Sequence, residues 1–128
     1  MTPYELAGGE AGLRTVLTRL YDRAFDDPII GFLFVGKDKA RIVEGQVAFT
    51  AAFLGGPRGY RGRPLPEAHA QLPLLPGHFD RRHRLLEEVL CDQGVHESVR
   101  RQWLDVDEGL RGSVLAACQT ARQRTKVA

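Results

Sequence analysis

The stretch GRPLPEAHAQLPLLPGHF, residues 62–79, sets four prolines and two histidines in a segment that no ordinary helix or strand can span. Proline fixes φ, lacks a backbone donor and pushes the residue before it out of the helical region, so EAHAQL is confined to little more than a short helical turn. His69 is therefore held on one turn of chain fenced by Pro64, Pro66, Pro73 and Pro76. A histidine held so stiffly is a candidate ligand, and the rest of the chain must say what it serves.

Around this segment the chain divides into helices punctuated by glycine and proline. Thr2 followed by Pro3 reads as a cap and first position, so PYELA is a short helix that stops at Gly8 and Gly9. From Glu10 to Asp26, Leu13, Val16, Leu17, Leu20, Tyr21 and Ala24 recur at three- and four-residue steps and form one apolar stripe ending before Pro28. Lys39 to Leu54 repeats the pattern with Ile42, Phe49 and Phe53, and the polar Gln46 breaks it. Phe79 to Asp92 and a last helix from Ser98, carrying Val99, Trp103, Val106, Leu110 and Val114, complete the set. No segment alternates as a strand does. The expectation is a single all-α domain over residues 1–128, with four main helices, one long ordered loop and a frayed tail at 119–128.

Length and composition bound the function. A chain of 128 residues with 43% hydrophobic content can bury one real core. Its net charge of +2 comes from interleaved acids and bases, and the basic RQRTKVA tail reads as a solvated terminus, so nucleic acid is not expected as a partner. Cys91 and Cys118 have neither zinc-site nor CxxC spacing and read as reduced thiols. The start MTPYELAGGE lacks the pattern of a signal peptide, and no window approaches the roughly 20 apolar residues of a membrane span. A cytoplasmic location is expected.

Function then rests on the polar groups that interrupt apolar faces. Tyr21, Gln46 and His69 each have a plain structural reading: a core tyrosine with its hydroxyl at the rim, an amide at the edge of a face, a turn cap. Together they ask for more. Leaving a buried phenol and amide unpaired costs about 1 to 3 kcal/mol each, and a bound polar ligand would satisfy both. Phe32, Phe34, Phe49, Tyr60 and Phe79 flank the same groups and suit a flat apolar ligand. No Cys, Asp or second His stands at zinc-ligand spacing, whereas haem iron takes a single proximal histidine beside a distal pocket of hydrogen-bond donors.

With these residues in view, the chain resembles the truncated haemoglobins, most closely their first group. The resemblance runs from YELAGGE to EGLRGSVL. It is carried by the double glycine of LAGGE, the tyrosine of RLYDRAF, the phenylalanine ending GFLF, the run QVAFTAAFLGGPRGY, the histidine of EAHAQL and the HF opening the next helix.

The resemblance implies a two-over-two helical sandwich in which the long ordered loop carries the proximal histidine, His69. It implies haem b (iron protoporphyrin IX) as cofactor and the diatomic gases oxygen, carbon monoxide and nitric oxide as partners. Tyr21 and Gln46 become the distal hydrogen-bonding pair. Ile42 takes the usual distal-histidine site, so that the iron is five-coordinate. Phe34 lies against the haem face, Phe49 lines or gates the distal cavity, and Tyr60, Leu65, Leu72, Leu74 and Phe79 pack near the porphyrin. Lys37, Lys39, Arg41 and Arg63 are candidates for the propionates, although surface cations are ordinarily just solvated.

Three positions depart from the family pattern. Arg82 and Asp107 stand where apolar residues usually turn toward the haem, and Gly45 stands where a basic residue often meets a propionate. Two independent buried charges are costly, so Arg82 and Asp107 are expected to meet as a salt bridge between the last two helices. Three functions stay open: an oxygen-binding haem globin, a nitric oxide dioxygenase served by an external reductase, and a helical interaction module without haem.

Overall fold

The computed structural model describes residues 1–57 and 74–118. Its helices are α1 (Pro3–Leu6), α2 (Gly9–Asp26), α3 (Lys39–Phe53), α4 (Pro76–Asp92) and α5 (Glu97–Gly109). A 3-10 turn, Gly31–Phe34, lies between α2 and α3, and a further helical run, α6, covers residues 111–118. There is no strand among the described residues, and no helix among them is long and apolar enough to cross a membrane. His69 and the proline loop from 58 to 73, like the tail from 119 to 128, lie outside the described residues.

Local chemistry sets the first two helices. The Glu5 amide donates to Thr2 Oγ1 at 3.1 Å while the Thr2 amide donates to Glu5 Oε1 at 3.2 Å, a reciprocal cap ahead of Pro3. Gly8 and Gly9 then adopt φ of +93° and +65°, a left-handed turn that side chains disfavour. At Gly12 a Cβ would stand 1.9 Å from the Ala7 carbonyl oxygen, so α1 and α2 meet only around glycine. The Tyr4 amide donates to the Leu54 carbonyl at 2.9 Å and ties this corner to the end of α3.

The apolar stripe of α2 is buried as its spacing requires: Leu13, Val16, Leu17, Leu20, Tyr21 and Ala24 all lie in the core. α2 packs against α3 and α4, and α4 packs against α5, which gives two helix pairs laid over one another. Leu85, Leu86, Val89 and Leu90 of α4 and Val99 and Trp103 of α5 close the core.

The structure adjusts the expected boundaries in two places. α4 begins at Pro76 rather than Phe79, because proline is well suited to a first helical position and His78 Nδ1 accepts from the Leu75 amide at 3.0 Å. The last helix starts at Glu97 with His96 as its cap, whose Nδ1 accepts from the Ser98 amide at 3.1 Å, and it is interrupted at Leu110 before α6. Phe32, expected to flank the site, is instead exposed and meets the His78 ring edge-on with centroids 5.2 Å apart.

α4 is fastened by its arginines. Arg81 donates through Nε and Nη2 to Asp27 Oδ1 at 3.0 and 2.8 Å, while Asp27 Oδ2 accepts the Ile29 and Ile30 amides at 3.0 and 3.1 Å. The Arg81 hydrogen bond is the main cause holding the buried Asp27 carboxyl below its ordinary 3.8. A carboxylate with a depressed folded pKa stabilises the fold above its unfolded value, and that stability is lost as pH falls through the folded one. Asp27→Asn should therefore lower the melting temperature at neutral pH, and the gap to the parent protein should close in acid below about pH 3.8. Thermal melts of both proteins across this range test it.

Candidate functional site

The helix pairs enclose a cleft of about 770 Å³, counted out to its open mouth. One wall comes from α2, α3 and the 3-10 turn, through Tyr21, Gln46, Phe49, Thr50, Leu33 and Phe34. The other comes from α4 to α6, through Phe79, Arg82, Trp103, Asp107 and Val114, and Leu74 stands where the chain re-enters the described structure. The lining has the character of a small-molecule site, largely apolar with a few convergent polar groups.

Aromatic contacts hold the apolar part. Phe34 packs edge-on against Tyr21, with centroids 5.9 Å apart, and stacks on Phe25 at 4.8 Å. Phe49 meets Phe53 edge-on at 5.6 Å, and Phe53 meets Trp103 at 6.5 Å, so the lining runs continuously from α3 to α5.

Arg82 organises the polar end. Its Nε and Nη2 donate to the Tyr21 hydroxyl at 3.2 and 3.1 Å, Nη2 also reaches Gln46 Oε1 at 3.4 Å, and Nη1 donates to Asp107 Oδ1 at 2.8 Å. The expected salt bridge is therefore present, between α4 and α5, with the two side chains 20% and 10% exposed. His83 Nδ1 lies 2.7 Å from the other carboxylate oxygen of Asp107. Burial works to raise the Asp107 pKa, but the Arg82 charge and the His83 hydrogen bond outweigh it and hold the carboxyl below its ordinary value. Burial likewise opposes the Arg82 charge, and the Tyr21 oxygen and Asp107 outweigh it, so the guanidinium stays protonated. His83 is raised above 6.5, chiefly by its hydrogen bond to Asp107.

Of the residues singled out from the sequence, Tyr21, Gln46, Phe34, Phe49, Leu74, Phe79 and Arg82 line this cleft. Ile42 is half-buried against the core and is not part of the lining. Arg41 is exposed, and Lys39 donates to Asp22 Oδ1 at 2.9 Å. His69, Tyr60, Leu65, Leu72 and Arg63 lie outside the described residues. Sequence reading missed Thr50 and the part played by His83. Thr50 stands one turn after Gln46, and that repeat of polar residues on an apolar stripe was the signal available.

An all-α two-over-two sandwich with a cleft between its helix pairs is a globin architecture. Residues 2–116 match the family model described as bacterial-like globin. The group 1 truncated hemoglobin GlbN of Nostoc sp. (strain MUN 8820) is 32% identical over 114 residues, covering 89% of this chain and 97% of that protein. The group 1 truncated hemoglobin of Tetrahymena pyriformis is 30% identical over 114 residues, covering 89% and 94%. Among solved structures, the truncated hemoglobin from Tetrahymena pyriformis in its Fe(III) form superposes with a TM-score of 0.80 at 29% identity, covering 89% of this chain and 97% of that one. The 2/2 hemoglobin from Synechococcus sp. PCC 7002 gives 0.85 at 24% identity, covering 91% and 99%, and speaks to the fold alone. The chain belongs to the bacterial-like globins, among the truncated haemoglobins of the first group.

Two outcomes follow from the charged cluster. Asp107→Ala leaves Arg82 buried without its carboxylate and should cost about 3 to 5 kcal/mol, with strong coupling in a double-mutant cycle with Arg82 measured by denaturant unfolding. His83 has a raised folded pKa, so its contribution is fully present below 6.5 and is lost as pH rises through the folded value. The stability gap between the parent protein and His83→Gln should be widest in mild acid and narrow toward alkaline pH.

Proposed function

We propose that this protein is a haem globin that reversibly binds oxygen and other diatomic gases. One observation carries the reading: in a truncated haemoglobin chain, Tyr21 from α2 and Gln46 from α3 converge at the polar end of an otherwise aromatic and aliphatic cleft. The residues fit a porphyrin. Phe34, Phe49, Phe79 and Trp103 offer flat apolar surface, and the cleft opens to solvent, where charged edge groups can stay hydrated.

Bound haem b would supply an iron atom with one position open to a gas. Tyr21 and Gln46 would hydrogen-bond a polarised ligand, and the aromatic lining would exclude water and strengthen those bonds. His69 would be the proximal ligand. Four residues separate it from Leu74 in the lining, and the five steps between them make a tether of no more than about 18 Å. Tyr60, Leu65 and Leu72 would pack on the porphyrin from the same segment, Ile42 would offer the iron no nitrogen, and Arg41 would face a propionate.

The purified protein should show a Soret band and a five-coordinate ferrous spectrum. His69→Ala should lose that spectrum, with imidazole restoring it, while His78→Ala and His96→Ala keep it. Tyr21→Phe removes one donor to a charged acceptor, worth about 1.5 to 3 kcal/mol, and oxygen should leave about tenfold faster or more in stopped-flow measurements. An unchanged spectrum in His69→Ala would overturn the ligand assignment, and absence of a Soret band in the parent protein would overturn the reading as a whole.

A further inference from the structure

The cleft's polar end holds a fixed cation that a gas-binding pocket does not require. A tyrosine hydroxyl has one hydrogen and two lone pairs. Two N–H groups of Arg82, at 3.2 and 3.1 Å, occupy the acceptor side of the Tyr21 oxygen. The hydroxyl hydrogen is therefore left to point away from the guanidinium. Gln46 is turned by the same group: its carbonyl oxygen faces Nη2 at 3.4 Å, which directs its NH2 elsewhere. A guanidinium has no acceptor of its own, so an amide beside it presents oxygen rather than nitrogen.

We propose that Arg82 is a positioning residue that fixes Tyr21 and Gln46 as donors only and makes the polar end of the cleft a site for small inorganic anions. Asp107 does not cancel this bias, because its two oxygens are turned to Arg82 Nη1 and His83 Nδ1, away from the Tyr21 and Gln46 side of the guanidinium. The chemistry selected is an acceptor with no hydrogen to give, of which fluoride and azide are the simplest forms.

This inference rests on the haem reading, and its test separates the two. The holoprotein, oxidised to the ferric state, is titrated with sodium fluoride and with sodium azide and followed optically, and the carbon monoxide affinity and C–O stretching frequency are measured on the reduced form. Arg82→Leu should weaken fluoride by about tenfold or more, the equivalent of one charge-assisted hydrogen bond. It should also raise the C–O stretching frequency, while changing carbon monoxide affinity far less than fluoride affinity. Because the single variant strands Asp107, Arg82→Leu/Asp107→Leu removes both charges together and keeps the test open if the single variant does not fold. In a Tyr21→Phe/Gln46→Leu background, loss of Arg82 should have little further effect, since it acts through those two side chains. Unchanged fluoride affinity in the double variant would overturn the proposal. So would an Arg82 effect of full size in the Tyr21→Phe/Gln46→Leu background. A parent protein without a Soret band would instead overturn the haem reading beneath it.

Discussion

A buried carboxylate is the constraint around which this molecule is arranged. Asp107 sits on α5 with its side chain only 10% exposed, and an unpaired charge there would cost several kcal/mol. It is tolerated because α4 brings it two partners from consecutive positions, Arg82 and His83, one to each oxygen. That requirement fixes the rotation of α4 against α5. It also determines where the rest of the guanidinium falls, which is on the Tyr21 hydroxyl of α2 and the Gln46 amide of α3. One acid thus links four helices, and the floor of the cleft is the place where they meet.

The apolar architecture follows from different forces and was largely legible in the chain. The stripe from Leu13 to Ala24 is buried residue for residue, since three- and four-residue spacing leaves a helix only one face to bury. Gln46 stood out because it broke such a stripe, and the pairing of Arg82 with Asp107 could be anticipated because two separate buried charges are too costly. What spacing could not tell was direction. Arg81, Arg82 and Arg84 look alike in sequence, yet they reach Asp27, Asp107 and the Glu87–Glu88 pair respectively. Only the packed positions of α2 and α5 separate them.

Other differences have equally local causes. Prolines read as helix breakers hid the fact that Pro76 starts α4, since the same ring that stops one helix suits the first turn of another. Phe32 and Phe34 are two residues apart in a tight 3-10 turn, and this turns one to solvent and the other into the cleft. A count of aromatic residues could not have divided them. The part played by His83 was not legible, because nothing in its neighbourhood in sequence discloses a carboxylate 24 positions later.

The ion pairs of the two walls also differ in kind. α4 is held at Asp27 and Asp107 by carboxylates that are themselves buried. α3 is joined to α2 by Arg14–Glu44 and Lys39–Asp22, pairs whose side chains are 38% to 61% exposed and whose net worth in water is about 0 to 1 kcal/mol. Charge therefore sets the orientation of α4, whereas α3 is carried by its buried face against α2.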